Sequence, residues 1–267
     1  MTTEPSQRIE QHDAAALAGG YSRSIRRLEV ASIGALFALM ATVVYRLLEH
    51  VPANPWMVLL AVCSAYLGAD LLSGVVHWMG DTWSTPSARW VGPTLIRPFR
   101  EHHVDERAIT RHDFVETNGN NCLVSLPGVL LALVVPLDRG WLGIFVAVFL
   151  VALVFWVLMT NQFHKWAHLD SPPGWIAFLQ RWHLILPPAH HAIHHAAPFN
   201  RYYCITVGWL NWPLQVVRFF PALEWLISSL TGALPRQDDI GKAAALEIAE
   251  EPLAPEGGAK LSDQPQG

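Results

Sequence analysis

The sequence His-His-Ala-Ile-His-His at residues 190–195 is the stretch around which the rest of the chain must fold. In a helix, His191, His194 and His195 would stand at positions i, i+3 and i+4 and therefore share one face. Histidine is the commonest neutral metal ligand, and this many imidazoles are costly to bury together unless something binds them. A solvated polar loop is the alternative. The stretch predicts one wall of a metal site whose other ligands lie elsewhere.

The composition indicates a membrane protein. The 267-residue chain is 52% hydrophobic and 15% charged, whereas about a quarter of the residues of a soluble domain are charged. Twelve tryptophans point the same way, because tryptophan favours membrane interfaces. The net charge of -4 gives no indication of a nucleic-acid partner, and the three cysteines form no CxxC pair. We expect neither nucleic-acid binding nor a cysteine-based zinc site.

Four apolar runs predict an all-α integral membrane protein with about four transmembrane helices. They lie at about residues 30–48, 56–79, 122–137 and 140–160, and about 20 apolar residues suffice to cross a bilayer. The third run contains Pro127, so we expect it to be kinked or partly re-entrant. Arg23, Arg26 and Arg27 place the start of the first span in the cytoplasm.

The remaining segments are predicted from composition. Amphipathic stretches at residues 175–186 and 214–230 are expected to lie on the membrane surface as interfacial helices. Residues 1–22 and 233–267 are polar or rich in Ala, Pro, Gly and Glu, so both are expected to be disordered tails. The membrane domain is predicted to occupy residues 23–232.

The histidines converge if the chain crosses the membrane four times. Thirteen histidines are present, and eleven lie between His77 and His195. With a cytoplasmic N-terminus, four crossings bring every clustered histidine to the cytoplasmic face, whereas three or five would separate the clusters. The sequence therefore predicts one shared site at that face of the membrane.

Spacing identifies further candidates for this site. His77 and Asp81 are four residues apart, as are His164 and His168, so each pair can share one helix face. Lys165 occupies the place of the glutamate that a zinc metalloprotease needs beside its first histidine, which argues against a protease. Asp70, two turns before His77, either faces the same site or makes a buried hydrogen bond between helices.

The number of imidazoles favours two metal ions. Structural zinc takes four ligands and catalytic zinc three, so eight or more histidines exceed what one zinc ion needs. The adjacent residues His102 and His103 cannot share one helix face, so they would bind two different metals or opposite sides of one. An imidazole- and carboxylate-rich site with open positions suits iron and oxygen activation. Haem would need only two of the histidines, and a metal transporter would carry its ligands within the spans.

These motifs, from about residue 70 to residue 232, resemble the Kua/CarF family of plasmanylethanolamine desaturases, which includes a more distant branch of plant plastid phosphatidylglycerol desaturases. The motifs that carry the resemblance are His77-Trp78 with Asp81-Thr82-Trp83, Arg97-Pro98-Phe99-Arg100-Glu101-His102-His103, Thr110-Arg111-His112-Asp113-Phe114, Glu116-Thr117-Asn118-Gly119, Asn161-Gln162 with His164-Lys165-Trp166 and His168, Trp182-His183 with Ile185-Leu186-Pro187, and His190-His191 with Ile193-His194-His195.

The resemblance implies a di-iron membrane lipid desaturase. Its substrate would be 1-O-alkyl-2-acyl-glycerophosphoethanolamine, its product the vinyl-ether plasmalogen, and its co-substrate O2. Two electrons would come from a carrier such as cytochrome b5 or a ferredoxin. The expected location is a bacterial inner membrane, since the short chain has no appended domain, or the endoplasmic reticulum if the source is eukaryotic. An acyl-chain desaturase acting on phosphatidylglycerol and a non-enzymatic membrane metal-binding regulator remain the alternatives.

The ligand set departs from that of ordinary fatty-acid desaturases. Phe99 stands where the box ending in an adjacent histidine pair usually has a third histidine, and Asp81 stands where the first box usually has its second. The expected catalytic ligands are His77, His102, His103, His164, His168, His191, His194 and His195, with Asp81 as a ligand or as an acceptor that orients one.

Several further residues are left with two possible roles. His190 is either a ligand or an orienting residue, and His112 and His183 are either ligands or hydrogen-bonded structural histidines. Arg97, Arg100 and Arg111 could bind the lipid phosphate, or each could instead be a solvated loop arginine or a membrane-surface arginine. Glu116, Asn118 and Asn161 are candidates for orienting or helix-capping roles.

Overall fold

The computed structural model describes residues 21–50, 55–83, 102–103, 105–196 and 199–235. Within these residues all regular secondary structure is helical. The α-helices are α1 (Arg23–Leu47), α2 (Pro55–Trp83), α3 (Ala108–Arg111), α4 (Phe114–Val134), α5 (Trp141–Ala167), α6 (Gly174–Arg181), α7 (Pro188–His191), α8 (Asn211–Val216) and α9 (Phe219–Thr231), with a 3₁₀ turn at Leu137–Arg139. Nearly all of both predicted tails lies outside the described residues.

Three helices of the described chain, α1, α2 and α5, are long and apolar enough to cross a membrane. The third predicted span corresponds to α4, which is not among them. It begins at Phe114 rather than at about residue 122, because the Asp113 side chain accepts a hydrogen bond from the Glu116 amide and caps an earlier start. The helix continues through Pro127, so of the two predicted forms of this arm, kinked or partly re-entrant, the structure contradicts the re-entrant one.

The polar first turns of α4 are satisfied by α5, which runs antiparallel to it. The side-chain amide of Asn121 donates to the Val157 carbonyl at 2.8 Å, and that of Asn161 donates to the Thr117 carbonyl at 2.8 Å. Buried amides need such partners in an apolar environment. These bonds explain how a helix with several asparagines can pack inside a bundle of apolar helices.

Helices α1 and α4 run in the same direction. Arg26, at the start of α1, contacts Asp113 just before α4 at 2.6 Å. At the other end, the Arg46 guanidinium donates to the Leu133 carbonyl. The amino ends of both helices therefore lie at one end of the bundle.

Helices α2 and α5 also run parallel to each other. The rings of Tyr66 and Trp156 lie 4.6 Å apart near the middle of the pair, and the rings of His77 and His164 lie 6.1 Å apart near its carboxyl end. Since α4 and α5 are antiparallel, the carboxyl ends of α2 and α5 share one end of the bundle with the amino end of α4. This is the end that carries the histidines.

The apolar core lies toward the opposite end, between α1, α4 and α5. Its fully or nearly fully buried side chains include Leu36, Val43, Val129, Ala132, Ala147 and Val148. Large apolar residues on the outer faces, such as Leu60 and Leu131, are more than half exposed. The bundle therefore packs a modest interior and presents apolar surface outward, as a membrane-embedded protein does.

The contact of α1 with α4 depends on Gly119. A Cβ atom at this position would overlap the Cβ of Glu29, which is 2% exposed. We expect Gly119→Ala to lower the unfolding free energy by about 1–3 kcal/mol, because the packed helices must separate. Gly34→Ala is the matched control, since its Cβ would meet no described atom within 4 Å. Thermal unfolding in detergent measures both; equal effects would contradict the close packing at Gly119.

The carboxyl-terminal segment packs across α2. Residues 203–207 are buried, and the indole of Trp78 donates to Glu224 of α9 at 2.8 Å. The amphipathic stretch predicted at 214–230 is two helices, because Arg218 adopts a left-handed conformation with φ 53° between α8 and α9. This segment therefore closes over the end of α2 that carries His77.

Candidate metal centre

Nine side chains meet where α2 and α5 end, and they form two groups that could each hold a metal ion. Within each group, one potential ligand atom from every residue lies within 4.8 Å of all the others. The first, called here the five-histidine group, contains His102, His164, His168, His191 and His195. The second, called the Asp81 group, contains His77, Asp81, His103 and His194.

The two long helices supply two residues each. His77 and Asp81 lie one turn apart near the end of α2, and His164 and His168 lie one turn apart at the end of α5. A spacing of four residues places both members of each pair on one helix face. The pair on α2 joins the Asp81 group, whereas the pair on α5 joins the five-histidine group.

The adjacent histidines His102 and His103 point into different groups. His102 lies in the five-histidine group and His103 in the Asp81 group, and both are buried. Neighbouring side chains cannot share one helix face, so one short segment contributes to both groups. The two groups are thereby held next to each other.

The stretch at 190–195 contributes through a short helix followed by turns. Helix α7 ends at His191, and the amides of His194 and His195 then donate to its carbonyl at 2.9 and 3.4 Å. A helix through residue 195 is therefore not required to bring the three rings together. His191 and His195 enter the five-histidine group, and His194 enters the Asp81 group.

The nitrogens of the five-histidine group converge on one another. Nε2 of His164 lies 3.0 Å from Nε2 of His102 and 2.9 Å from Nε2 of His191, and the latter is 3.0 Å from Nε2 of His195. Metal–imidazole bonds of roughly 2.1 Å at right angles separate neighbouring nitrogens by ~3.0 Å. In addition, the buried Nε2 of His168 has no hydrogen-bond partner among the described residues. These residues fit a metal ion.

The Asp81 group has wider spacing and a negative charge. The carboxylate oxygens of Asp81 lie 3.4 Å from Nε2 of His77, 3.3 Å from Nε2 of His103 and 3.5 Å from Nε2 of His194. Bonds of roughly 2.1 Å in a tetrahedral arrangement separate ligand atoms by ~3.4 Å. All four side chains are buried, so this group also fits a metal ion.

Burial keeps these imidazoles neutral, which is the form that binds metal. Desolvation, followed by the neighbouring imidazoles, lowers the pKa of His102, His191 and His194 well below 6.5. Desolvation likewise lowers the pKa of His168 to about 3. At neutral pH the ring nitrogens of these residues therefore present lone pairs rather than positive charge.

Main-chain carbonyls and one carboxylate contact the Nδ1 atoms of three of the histidines, on the side of each ring that faces away from the centre of the site. Nδ1 of His77 lies 3.2 Å from the Tyr203 carbonyl, and Nδ1 of His194 lies 2.9 Å from the Arg201 carbonyl. Glu106 lies 3.4 Å from Nδ1 of His195. Such contacts fix the tautomer and leave Nε2 to face the centre of the site. The sequence reasoning missed all three partners. The two carbonyl contacts have no side-chain pattern, and nothing in the spacing of Glu106 connects it with His195.

Asp70 supports the site from outside both groups. Its carboxylate accepts hydrogen bonds from the amides of Val207 at 2.9 Å, Gly208 at 2.8 Å and Leu210 at 3.1 Å. It therefore binds the loop that carries the Tyr203 carbonyl, rather than making the hydrogen bond between long helices that was one of its two predicted roles.

We expect Asp70→Asn to destabilise the protein by about 1–3 kcal/mol, because the amide NH2 would face backbone donors that lose an acceptor. The control is Asp138→Asn, at an exposed position. Thermal unfolding and the metal retained after gel filtration check this expectation. Unchanged values for Asp70→Asn would show that the loop does not depend on its charge.

The structure does not bring every candidate residue to the two groups. His190 lies outside both, with Nε2 3.1 Å from Nδ2 of Asn211. His112 has Nε2 3.7 Å from Glu116, and His183 is exposed in a left-handed turn.

The polar candidates also lie apart from the two groups. Arg111 pairs with Asp105 at 2.5 Å, and Arg97 and Arg100 lie outside the described residues. The Asn118 side chain donates to the Phe114 carbonyl at 2.9 Å, within α4. Asn161 joins α5 to α4, as described above.

Comparisons with known proteins identify relatives of this chain. The lipid desaturase domain family matches residues 66–238, which include all nine residues of the two groups. A plasmanylethanolamine desaturase of Myxococcus xanthus is 58% identical over 91% of this chain and 86% of its own length. Plasmanylethanolamine desaturase 1 of Mus musculus is 44% identical over 84% of this chain and 85% of its own length.

A more distant relative is the chloroplastic fatty acid desaturase 4 of Arabidopsis thaliana, 36% identical over 66% of this chain and 54% of its own length. No solved structure matches the chain. Because the family match covers more than half of the chain and two relatives align over most of both lengths, this protein belongs to the lipid desaturase family.

Proposed function

We propose that this chain is a plasmanylethanolamine desaturase. It removes two hydrogens from the first two carbons of the alkyl chain of 1-O-alkyl-2-acyl-glycerophosphoethanolamine and forms the vinyl ether of a plasmalogen. The observation that carries the proposal is the near full-length similarity to two relatives bearing that name, together with two buried groups suited to metal ions.

The reaction balances with O2 as oxidant. The C–C single bond becomes a double bond, and the two hydrogens, two further electrons and two further protons reduce O2 to two waters. The electrons come from a carrier protein such as cytochrome b5 or a ferredoxin. Two iron ions, when bound, would activate O2 for attack on an unactivated C–H bond.

The two groups divide the ligands between two irons. The five-histidine group, His102, His164, His168, His191 and His195, holds one ion. The Asp81 group, His77, Asp81, His103 and His194, holds the other and contributes the negative charge. Seven of these nine side chains are at most 9% exposed, and His168 and His195 are of intermediate exposure. This burial limits water around the reacting carbons.

The protein crosses the membrane four times in this proposal, with the metal centre at the cytoplasmic face. Helix directions support it: α2 and α5 run parallel, so the chain must return across the bundle between them, and α4 is the described helix that does so. Arg23, Arg26 and Arg27 at the start of α1 favour a cytoplasmic position for this end. The expected compartment is a bacterial inner membrane.

We assign binding of the lipid headgroup to Arg111, together with Arg97 and Arg100, which lie outside the described residues. Arg111 is 61% exposed and lies in the short helix before α4. With Arg97 and Arg100 it offers guanidinium groups that can bind a phosphate bidentately. In this proposal Arg111 would hold the phosphate at the end of the bundle that carries the histidines.

Expression in a host that contains alkyl ether phospholipids but no plasmalogens tests the proposal. Acid-labile vinyl-ether lipids should appear in cells with the intact chain. If instead a new double bond appears in an acyl chain of phosphatidylglycerol, the chain acts as the acyl-chain desaturase that the plant resemblance offers as an alternative. If neither lipid changes, the protein is not a desaturase of these substrates.

A further inference from the structure

A cavity of about 290 Å³ opens between α2, α4 and α5, beside the metal centre. Its walls are largely apolar, with Leu72 and Val76 from α2, Val124 and Gly128 from α4, and Leu153, Val154 and Val157 from α5. Asn121, Thr160 and Asn161 supply polar side chains to one part of the wall, and Ser73 and Ser125 add hydroxyl groups to it. The cavity has one polar end and one apolar end.

The polar end lies next to the metal centre. Asn161 precedes His164 by three positions on α5, and Val76 immediately precedes His77 on α2. Leu153 precedes His164 by eleven positions, which corresponds to ~16 Å along a helix axis. The cavity therefore extends from the histidines toward the middle of the bundle, over a depth similar to half of a bilayer's hydrocarbon core, roughly 15 Å.

Ser125 adds a polar side chain to the cavity wall. Ser125 is 5% exposed and lines the cavity, and its buried hydroxyl has no hydrogen-bond partner among the described residues. Buried hydroxyls normally find a protein partner. An alkyl chain would offer this hydroxyl no hydrogen bond, so the apolar residues of the wall, and not Ser125, are what match such a ligand.

We propose that this cavity binds the alkyl chain of the lipid substrate and that Leu153 and Gly128, at its inner end, set the chain length that is accepted. The proposal rests on the function proposed above. A saturated chain needs no hydrogen bonds, which matches the apolar walls. Because the reacting carbons adjoin the headgroup, nearly the whole chain must extend away from the metal centre, and this cavity runs in that direction.

Substitutions at Leu153 test the length limit in opposite directions. Leu153→Trp should shorten the inner end and reduce kcat/KM for hexadecyl relative to decyl ether lipids by about tenfold or more. Leu153→Ala should enlarge the inner end of the cavity and raise kcat/KM for octadecyl relative to hexadecyl ether lipids. Leu130→Trp and Leu130→Ala are the controls, because Leu130 is 50% exposed on α4 and does not line the cavity.

The two proposals can fail separately. If the Leu153 variants convert lipids but show the wild-type order of chain lengths, or change it no more than the Leu130 variants, the cavity proposal is overturned and the desaturase proposal stands. If the wild-type chain converts no ether lipid of any length, the desaturase proposal is overturned, and this assay then says nothing about the cavity.

A binding measurement that needs no turnover shows in either case whether the alkyl chain occupies the cavity. An alkyl ether phospholipid carrying a diazirine near the middle of its alkyl chain is cross-linked to the intact protein, and the labelled peptides are identified by mass spectrometry. Labels within residues 121–128 or 153–161 support the proposal, and Leu153→Trp should reduce them. Labels confined to the outer faces of α1 and α9 would overturn it.

Discussion

His191→Ala is expected to reduce vinyl-ether formation by at least about 100-fold, whereas His190→Ala should retain most of the wild-type activity. The two residues are adjacent, but only His191 belongs to the five-histidine group. Its Nε2 lies 2.9 Å from Nε2 of His164 and 3.0 Å from Nε2 of His195. Removing it takes away one of the converging nitrogens.

His190 serves as a matched control because it faces away from the metal centre. Its Nε2 contacts the side chain of Asn211, and its ring packs against Tyr202 at 4.9 Å. Asn211 in turn binds both the amide and the carbonyl of Cys204. His190→Ala should therefore lower stability slightly while leaving both groups of ligands complete.

The measurement is the ratio of plasmalogen to alkyl ether lipid in cells expressing equal amounts of each variant, with iron content determined on the purified proteins. We expect His191→Ala to lose iron and His190→Ala to keep it. Loss of activity and iron in His190→Ala alone would reverse the assignment and make His190 the ligand.

Helical periodicity anticipated a substantial part of this arrangement. Pairs four residues apart, His77 with Asp81 and His164 with His168, share helix faces because the helices α2 and α5 are regular there. The count of apolar runs anticipated that the ends of these helices meet. For adjacent residues the same reasoning held that His102 and His103 diverge, and the structure brings them to different groups.

What the sequence could not provide depends on contacts between distant backbone atoms. The start of α4 is set by the Asp113 cap and by amides that bond to α5, so an apolar window begins eight residues too late, at 122 instead of 114. The role of Asp70 depends on three backbone amides of residues 207–210. Such donors are present at almost every residue, and only the fold selects among them.

The choice between His190 and His191 shows the same limit. Helical spacing favoured His191, but helix α7 ends there, and turns rather than a continued helix bring His194 and His195 round. Gly208 allows the His190 ring to pack closely against the loop, because a Cβ atom at residue 208 would lie 2.7 Å from that ring. The position of His190 is thus determined by a loop almost twenty residues away in sequence.

Asp81→Asn is expected to lower the iron content from about two ions per chain to about one and to reduce activity by at least about 100-fold. Asp81 is the one carboxylate among the nine residues of the two described groups. Its oxygens lie within 3.5 Å of three histidine nitrogens, and its side chain is buried. Asparagine has nearly the same shape, so the change removes the charge and one acceptor with little effect on packing.

The buried charge makes this substitution more severe than its size implies. A divalent cation in a buried site surrounded by three neutral imidazoles has no other anion among the described members of its group to offset its charge. Asp81→Asn leaves every residue of the five-histidine group unchanged, so that group should keep its ion. The loss of one iron would then be assigned to the Asp81 group. His102→Ala should show the complementary loss, because His102 belongs to the other group.

Iron quantification on purified protein, combined with the lipid assay, distinguishes these cases. Asp170→Asn is the control, since Asp170 is 66% exposed and pairs with Arg107 at 2.7 Å. It should keep both ions and full activity. If Asp81→Asn also kept two irons, Asp81 would be an orienting acceptor for His77, His103 and His194 rather than a ligand. A loss of activity with both irons retained would then be due to misplaced imidazoles, since the metal itself would still be bound.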